Sequence, residues 1–313
     1  MDNAFDSKQT KKVTSNKKPK PKFLDRLQYL LPKIVLAPTL LITVVCIYGY
    51  IIWTGALSLT NSRFLPSFNH FIGFGQYAKL MENDRWLTSI TNLGIFGLLF
   101  LAIVIVLGVG LAILLDQNIR NEGVIRSIYL YPMALSFIVT GTAWKWILNP
   151  GLGIEKMVRD WGFTDFRFDW IVDSNMVIYT LVIAAVWQSS GFVMAMFLAG
   201  LRGIDSSIIK AAQIDGASLP RIYWSIVLPC LRPVFFSAVI ITSHIAIKSF
   251  DLVTALTAGG PGYSSDLPAL FMYAYSFTRG QTALGSASAM MMLAGILAIL
   301  VPYLYSELRE RKA

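Results

Sequence analysis

The sequence predicts an all-α integral membrane protein of about six spanning helices, on three observations. Of its 313 residues, 55% are hydrophobic and only 14% are charged, with a mean hydropathy of +0.58. A soluble domain carries about a quarter charged residues. Asp, Glu, Lys and Arg are absent from 34–57, 86–115, 127–144, 174–201 and 280–306, and from a shorter window at 233–247. A bilayer-crossing helix needs about 20 apolar residues, which five windows reach or approach. Trp53, Trp86, Trp144, Trp146, Trp161 and Trp170 fall where the lipid interface is expected.

The elements follow in order. Residues 1–33 carry nine Lys/Arg against Asp2, Asp6 and Asp25 and read as a basic, disordered cytoplasmic tail that sets topology. The first span, 34–57, is longer than a signal-peptide core and lacks a small-residue cleavage site, so it reads as a retained helix. Further spans are expected at 90–115, 127–148, 176–201, 233–256 and 284–306, with 307–313 as the C-terminus. Lys145 lies where a lysine snorkels to the outer interface. The fifth span makes its length only by running past Lys248 and Asp251. These two, three apart on one helix face, either neutralise each other or mark a polar pathway.

Charge sets the orientation. Segments 1–33, 116–126, 202–232 and 307–313 hold 18 Lys/Arg, whereas 58–89, 149–175 and 257–283 hold seven. The excess places both termini in the cytoplasm. The acids of the outer segment, among them Asp165 and Asp169, have no His or Cys nearby and read as a solvated loop, with no metal site.

Soluble-enzyme chemistry is excluded by what is missing. The chain contains no Gly-Lys dipeptide and hence no G-x-x-x-x-G-K phosphate loop. His70 and His244 are the only histidines, too few for a zinc hydrolase. Cys46 and Cys230 form no disulfide framework or metal spacing, and no G-x-S-x-G elbow occurs. No catalytic residue is assigned.

The segment 202–232 is too patterned for a plain linker. Asp205 or Ser206 is placed to N-cap a short helix, and Gly216 to end it in the left-handed conformation. Ser218 and Pro220 open a second helix, and Pro229 and Pro233 end it and start the next span. Leu219, Ile222, Tyr223, Ile226 and Val227 recur at helical spacing. Such an amphipathic helix packs on its own bundle, on lipid, or in a groove of a partner protein.

Lys210-Ala211-Ala212, three residues, Gly216, nine residues, then Ile226-Val227-Leu228-Pro229 resembles the EAA motif of binding-protein-dependent ABC importers. That motif is Glu-Ala-Ala, three residues, Gly, nine residues, Ile-x-Leu-Pro, and Asp215-Gly216-Ala217 matches its usual Asp-Gly-Ala. Thr257-Ala258-Gly259-Gly260-Pro261, with Tyr273 and Phe277, resembles the sugar branch of maltose and glycerol-phosphate type permeases. Within it the chain looks like the first permease subunit and is similar to glucose, mannose and α-glucoside permeases. The likeness runs from about residue 30. Lys210 departs from the motif's Glu, so any charge contact made there is lost, reversed or passed to Asp215.

The resemblance implies a six-helix ABC importer permease of maltose-permease type in the bacterial cytoplasmic (inner) membrane. It implies a second permease subunit, an ATP-binding subunit dimer and an extracytoplasmic sugar-binding protein as partners, with outer segments 58–89, 149–175 and 257–283 facing the last. ATP and Mg would sit on the partner ATPase, with no cofactor on this chain. Segment 202–232 would form the coupling helix, through Lys210, Ala211, Ala212, Asp215, Gly216, Ala217, Ile226, Leu228 and Pro229. The small residues suit close packing in a groove, and a tight helix hairpin would use them equally well.

A sugar site needs hydrogen-bonding groups and an aromatic face. Span four offers Trp187, Gln188, Ser189 and Phe192, with Gly191 placed to loosen the helix. In span five, Thr242, Ile245, Ala246 and Ser249 share a face, with His244 and Lys248 beside it. Aligned on the loop motif, Gln188, Ser189, Phe192, Thr242, Ile245, Ala246 and Ser249 match positions where the maltose permease resemblance places sugar contacts. Small polar residues also glue helices together. The competing reading is an ion-gradient-driven secondary transporter of a small polar solute. It expects several intramembrane carboxylates and an inverted repeat, where this sequence offers Asp251 alone. A membrane-embedded enzyme or scaffold would leave the loop motif unexplained.

Overall fold

The computed structural model describes residues 23–117 and 119–310; the basic tail up to residue 22 and the last three residues lie outside them. The chain divides into two compact units, Met1–Trp53 and Thr54–Ala313. Among the described residues it is helical, with no strand beyond one isolated bridge between Thr60 and Phe71.

The first unit begins with helix α1 (Phe23–Thr43), which passes through a widened π turn (Val44–Gly49) into α2 (Tyr50–Ser58). Helix therefore starts at Phe23, which corrects the reading of 1–33 as disordered throughout. Phe23, Leu24, Leu27, Leu30 and Leu31 recur at the helical period, a pattern the basic composition concealed. The run Leu31–Ser58 has 28 residues at a mean hydropathy of 2.2, enough to cross a bilayer.

In the second unit, α3 (Gly75–Met81) leads to α4 (Asp84–Asp116), whose N-terminus is capped by the Asn83 side chain accepting from the Trp86 N–H. After α4 come α5 (Glu122–Leu130), α6 (Phe137–Ile147), α7 (Ile154–Asp160) and α8 (Val177–Arg202). The core is the α4–α8 seam, with Phe96, Phe100 and Val104 against Leu181, Val193 and Phe197. Lipid removes the hydrophobic drive between helices, so such a seam depends on close backbone approach. Gly108 supplies it: a Cβ there would lie 2.5 Å from Val193 Cγ1.

Two predicted spans are interrupted. In place of one helix over 127–148, α5 and α6 meet at 99° through a tight turn at Tyr131–Ala134. Pro132 has no N–H to continue the ladder, Leu135 is extended, and Ser136 restarts the helix by accepting from the Val139 N–H at 3.3 Å. The fifth predicted span, 233–256, is likewise not continuous. Helix α12 (Arg232–Ile247) stops, Lys248–Phe250 is non-helical, and α13 (Asp251–Leu256) follows. The last long helix, α15 (Thr282–Glu310), is preceded by α14 (Pro268–Tyr273) and a π turn at Ala274–Thr278. A second apolar cluster of Leu80, Trp86, Phe271, Tyr275 and Leu284 ties α3, α14 and α15 together. Among the described residues, four helices are long and apolar enough to span a membrane, and up to six spans result if Glu122–Ala134 with Phe137–Ile147, and Leu219–Cys230 with Arg232–Ile247, each count as one.

Candidate coupling loop and transport cavity

Between α8 and α12 the chain forms a compact knob. Helix α9 (Ser206–Ile214) is capped by Asp205, whose carboxylate accepts from the Ser207 N–H at 2.8 Å. That backbone hydrogen bond, helped by the Ser207 hydroxyl, holds the Asp205 carboxyl below its ordinary value. At the far end the Ala217 N–H reaches the Ala212 carbonyl and the Gly216 N–H that of Gln213, both at 3.0 Å. Gly216 sits at φ +80°. This is the Schellman closure, which needs a left-handed residue after the cap.

The closure fixes which residues face out. Ala212 and Ala217, with Ile204 and Ile209, turn onto the core. Lys210, Ala211, Asp215 and Gly216 are exposed, and Ile214 is 86% exposed. The second loop helix runs from α10 (Leu219–Ile222) through a π turn (Tyr223–Val227) into α11 (Leu228–Cys230) and bends 65° into α12. It therefore continues through Pro229, which occupies the first turn of α11 while Pro233 occupies that of α12. A proline ring removes the i→i−4 bond, and here the Leu228 N–H bonds back to Tyr223 instead. Ile226 and Leu228 pack against the core and Pro229 is exposed. An Arg202–Glu122 ion pair of 2.7 Å joins the end of α8 to α5.

The span residues divide into two groups. Ile245 and Ser249 line a cavity of about 220 Å³ together with His244, Lys248, Asp251 and Phe137. Phe250 closes one wall and lies 4.8 Å, ring to ring, from Tyr273. The other predicted residues do not line it. Gln188 is buried and donates from Nε2 to the Leu135 carbonyl at 2.8 Å, holding the α5–α6 bend against α8, while its Oε1 has no partner. Thr242 is fully buried and donates to the Ala238 carbonyl of its own helix at 2.6 Å. Ser189 and Ala246 are buried, Phe192 packs on the core, and Trp187 meets Trp144 edge-on at 5.9 Å. Gly191 does not loosen α8, which runs unbroken; a Cβ there would lie 1.9 Å from the Tyr129 carbonyl oxygen. Its role is close approach. Phe137 and Phe250 escaped sequence reading, although Ser136 followed by an apolar run was a helix-start signal for the former.

The segment after α13 is held by charge. Asp266, fully buried, pairs with Arg85 at 2.5 Å, and Arg85 lies 4.4 Å over the Tyr263 ring. Asn92 donates to the carbonyls of Ser264 at 2.9 Å and Asp266 at 3.0 Å. Burial pushes the Asp266 carboxyl up, against the lowering effect of the Arg85 hydrogen bond. In α7, Glu155 is buried, accepts from the Phe168 N–H and pairs with Arg159 at 2.6 Å.

Residues 105–312 match the family described as binding-protein-dependent transport system inner membrane component. The chain belongs to this family. It is a membrane permease subunit of an ABC importer, in which it serves transport. A probable ABC transporter permease protein of Pyrococcus horikoshii is 38% identical over 278 residues, covering 88% of this chain and 95% of that one. A xylose/arabinose import permease protein of Haloferax volcanii is 33% identical over 263 residues, covering 80% and 82%. The fold is shared with a bacterial ABC transporter involved in import of the acidic polysaccharide alginate, at a TM-score of 0.78, 17% identity, and coverage of 93% of this chain and 99% of that one.

Proposed function

We propose that this permease is one half of the translocation pathway of an ATP-driven sugar importer, coupled to a separate ATPase by the knob at 202–232. The observation that carries the coupling role is α9 itself. Its fold is fixed at both ends by caps, yet it leaves Ala211, Ile214 and Gly216 open to solvent. A capped helix that packs one face on its own core and leaves the other open suits a groove on another protein. Lys210 and Asp215 flank it and set its charge complementarity in place of the motif's Glu.

The sugar assignment draws on the relatives, among them the xylose/arabinose permease and a trehalose/maltose transport permease of Thermococcus litoralis at 28% identity. The partners are then a second permease, an ATPase dimer carrying ATP and Mg, and an extracytoplasmic binding protein. Both termini lie in the cytoplasm of a bacterial cell, with six spans crossing the cytoplasmic (inner) membrane and the bent pair α5–α6 counted as one of them. Purification from the native membrane tests this. Co-isolation of an ATP-binding chain and a second permease, with ATPase activity stimulated by sugar-loaded binding protein, is the expected result. A chain that purifies alone and transports under an ion gradient without ATP overturns it. The coupling site is tested by Gly216→Trp, which is expected to reach the membrane but abolish sugar-stimulated ATPase activity; unchanged uptake would remove α9 from the coupling role.

A further inference from the structure

We infer that the cavity between α5 and α8 is a binding site for the phosphate headgroup of an anionic membrane lipid, held by Arg126 and Arg202. In the sequence these two arginines are far apart, but each borders a charge-free window. Arg126 is the last charge before 127–144, and Arg202 is the first after 174–201. Charges reappear where a chain leaves the hydrocarbon layer, so each arginine marks an edge of that layer. The structure brings both into the lining of one cavity of about 410 Å³, a volume within the ~300–1,000 Å³ of small-molecule sites. The two edges are therefore the same edge. In the orientation proposed above it is the cytoplasmic one, where anionic headgroups collect.

The charges are arranged to leave a cation over. Glu122 stands one turn before Arg126 on α5, the spacing at which a carboxylate pairs with a following base. It pairs instead with Arg202 of α8, at 2.7 Å. Arg126 is exposed and makes no ion pair among the described residues. Two guanidiniums against one carboxylate keep the cluster net positive. A guanidinium has five N–H donors, so Arg202 can hold Glu122 and still donate to a second oxyanion, while the whole fork of Arg126 is available to it. The rest of the lining is Leu130, Ala195, Leu198 and Ala199. A free phosphate has nothing to set against such a floor, whereas the glycerol esters and first methylenes of a lipid do. Val124 and Ile128 of α5, 62% and 64% exposed, add apolar surface for acyl chains. Basic pockets between spanning helices on the cytoplasmic side take headgroups of this kind. Arg202 ends α8 and Asp205 caps α9 three residues later, so a lipid held here braces the base of the coupling knob.

The test uses the assembled importer, delipidated in detergent and titrated with dioleoylphosphatidylglycerol or dioleoylphosphatidylcholine, with bound lipid counted by native mass spectrometry. Phosphatidylglycerol is expected to bind in preference to phosphatidylcholine. Arg126→Gln removes an exposed cation that is in no ion pair, and is expected to weaken phosphatidylglycerol binding about five-fold. Glu122→Gln frees Arg202 and is expected to strengthen binding by a similar factor; a carboxylate that only braced α5 on α8 would leave it unchanged or weaker. Should Glu122→Gln not assemble, Arg126→Lys keeps the charge without the fork and is expected to lose less than Arg126→Gln. Inorganic phosphate separates the two sources of the anion. It is expected to leave bound phosphatidylglycerol in place, and its displacing the lipid would make the ligand a free phosphate and overturn the lipid assignment. Equal binding of the two lipids, or an Arg126→Gln importer that binds phosphatidylglycerol as wild type does, overturns the site. None of these outcomes touches the sugar-importer reading, which sugar-stimulated ATPase activity checks in the same preparation.

Discussion

Replacing Gly191 by Ala adds one methyl to the middle of α8, at a point where no side chain can move aside. The new Cβ would lie 1.9 Å from the Tyr129 carbonyl oxygen, 2.6 Å from its carbon and 3.1 Å from the Leu130 nitrogen, all backbone atoms. Relief requires α5 to back away from α8 by more than an ångström. One turn earlier on α8, Gln188 holds the Leu135 carbonyl at 2.8 Å, so the retreat also strains the bend between α5 and α6. Overpacking of this kind costs about 1–3 kcal/mol, and contact with backbone puts it at the upper end. Against it stands a helix-propensity gain of about 1 kcal/mol for Gly→Ala. The net is a loss of about 2 kcal/mol, or about 3 °C in Tm for a chain of this size. The assay is thermal unfolding of the purified importer in detergent, beside Gly110→Ala on α4, where a Cβ meets nothing within 4 Å. Gly110→Ala is expected to hold or raise Tm. A Gly191→Ala protein as stable as wild type, with unchanged uptake, would refute the close-approach role and restore a hinge at this position.

Other variants test the remaining contacts. Arg85→Met leaves Asp266 buried without its guanidinium, a loss of about 3–5 kcal/mol at neutral pH. Burial already raises the Asp266 pKa above 3.8 and the variant raises it further, so the folded form gains stability by taking up a proton as pH falls; the Tm deficit is expected to shrink from pH 7.5 to 5.5, and a pH-independent deficit would refute it. Gly216→Ala places a Cβ at φ +80° with open space around it, so the cost is conformational only, about 1–2 kcal/mol, read as faster hydrogen exchange in α9 with sugar-stimulated ATPase activity retained. Gln188→Ala removes the tie to Leu135 and is expected to cost about 1 kcal/mol, lowering Tm more than it weakens uptake; a large rise in KM at unchanged Tm would put Gln188 back among the sugar contacts.

What the sequence revealed and what it concealed divide along a physical line. The membrane class was legible because hydropathy sums over some twenty residues and survives local irregularity. The knob at 202–232 was legible because its signals are local and chemical. Asp205 caps and Gly216 takes the left-handed position, each a demand that few residue types meet well. The bend at Pro132–Ser136 carried both of its signals, a proline and a serine before an apolar run, but a charge-free window overrode them. The break at Lys248–Phe250 carried none. It contains no glycine or proline, and its only mark was that the fifth span had to pass two charges to reach full length. Read as a continuous helix, that pair had an internal explanation, since residues three apart neutralise each other. The polar residues of spans four and five looked equivalent for the same reason. Hydrogen-bonding capacity is written in the side chain, whereas whether it is already spent on a neighbouring carbonyl depends on contacts such as Gln188 to Leu135, 53 positions apart. Polar groups bonded within their own chain and polar groups facing a cavity therefore look alike in sequence, and only the contacts separate Thr242, spent on the Ala238 carbonyl, from Lys248 and Asp251, which line the cavity at the break.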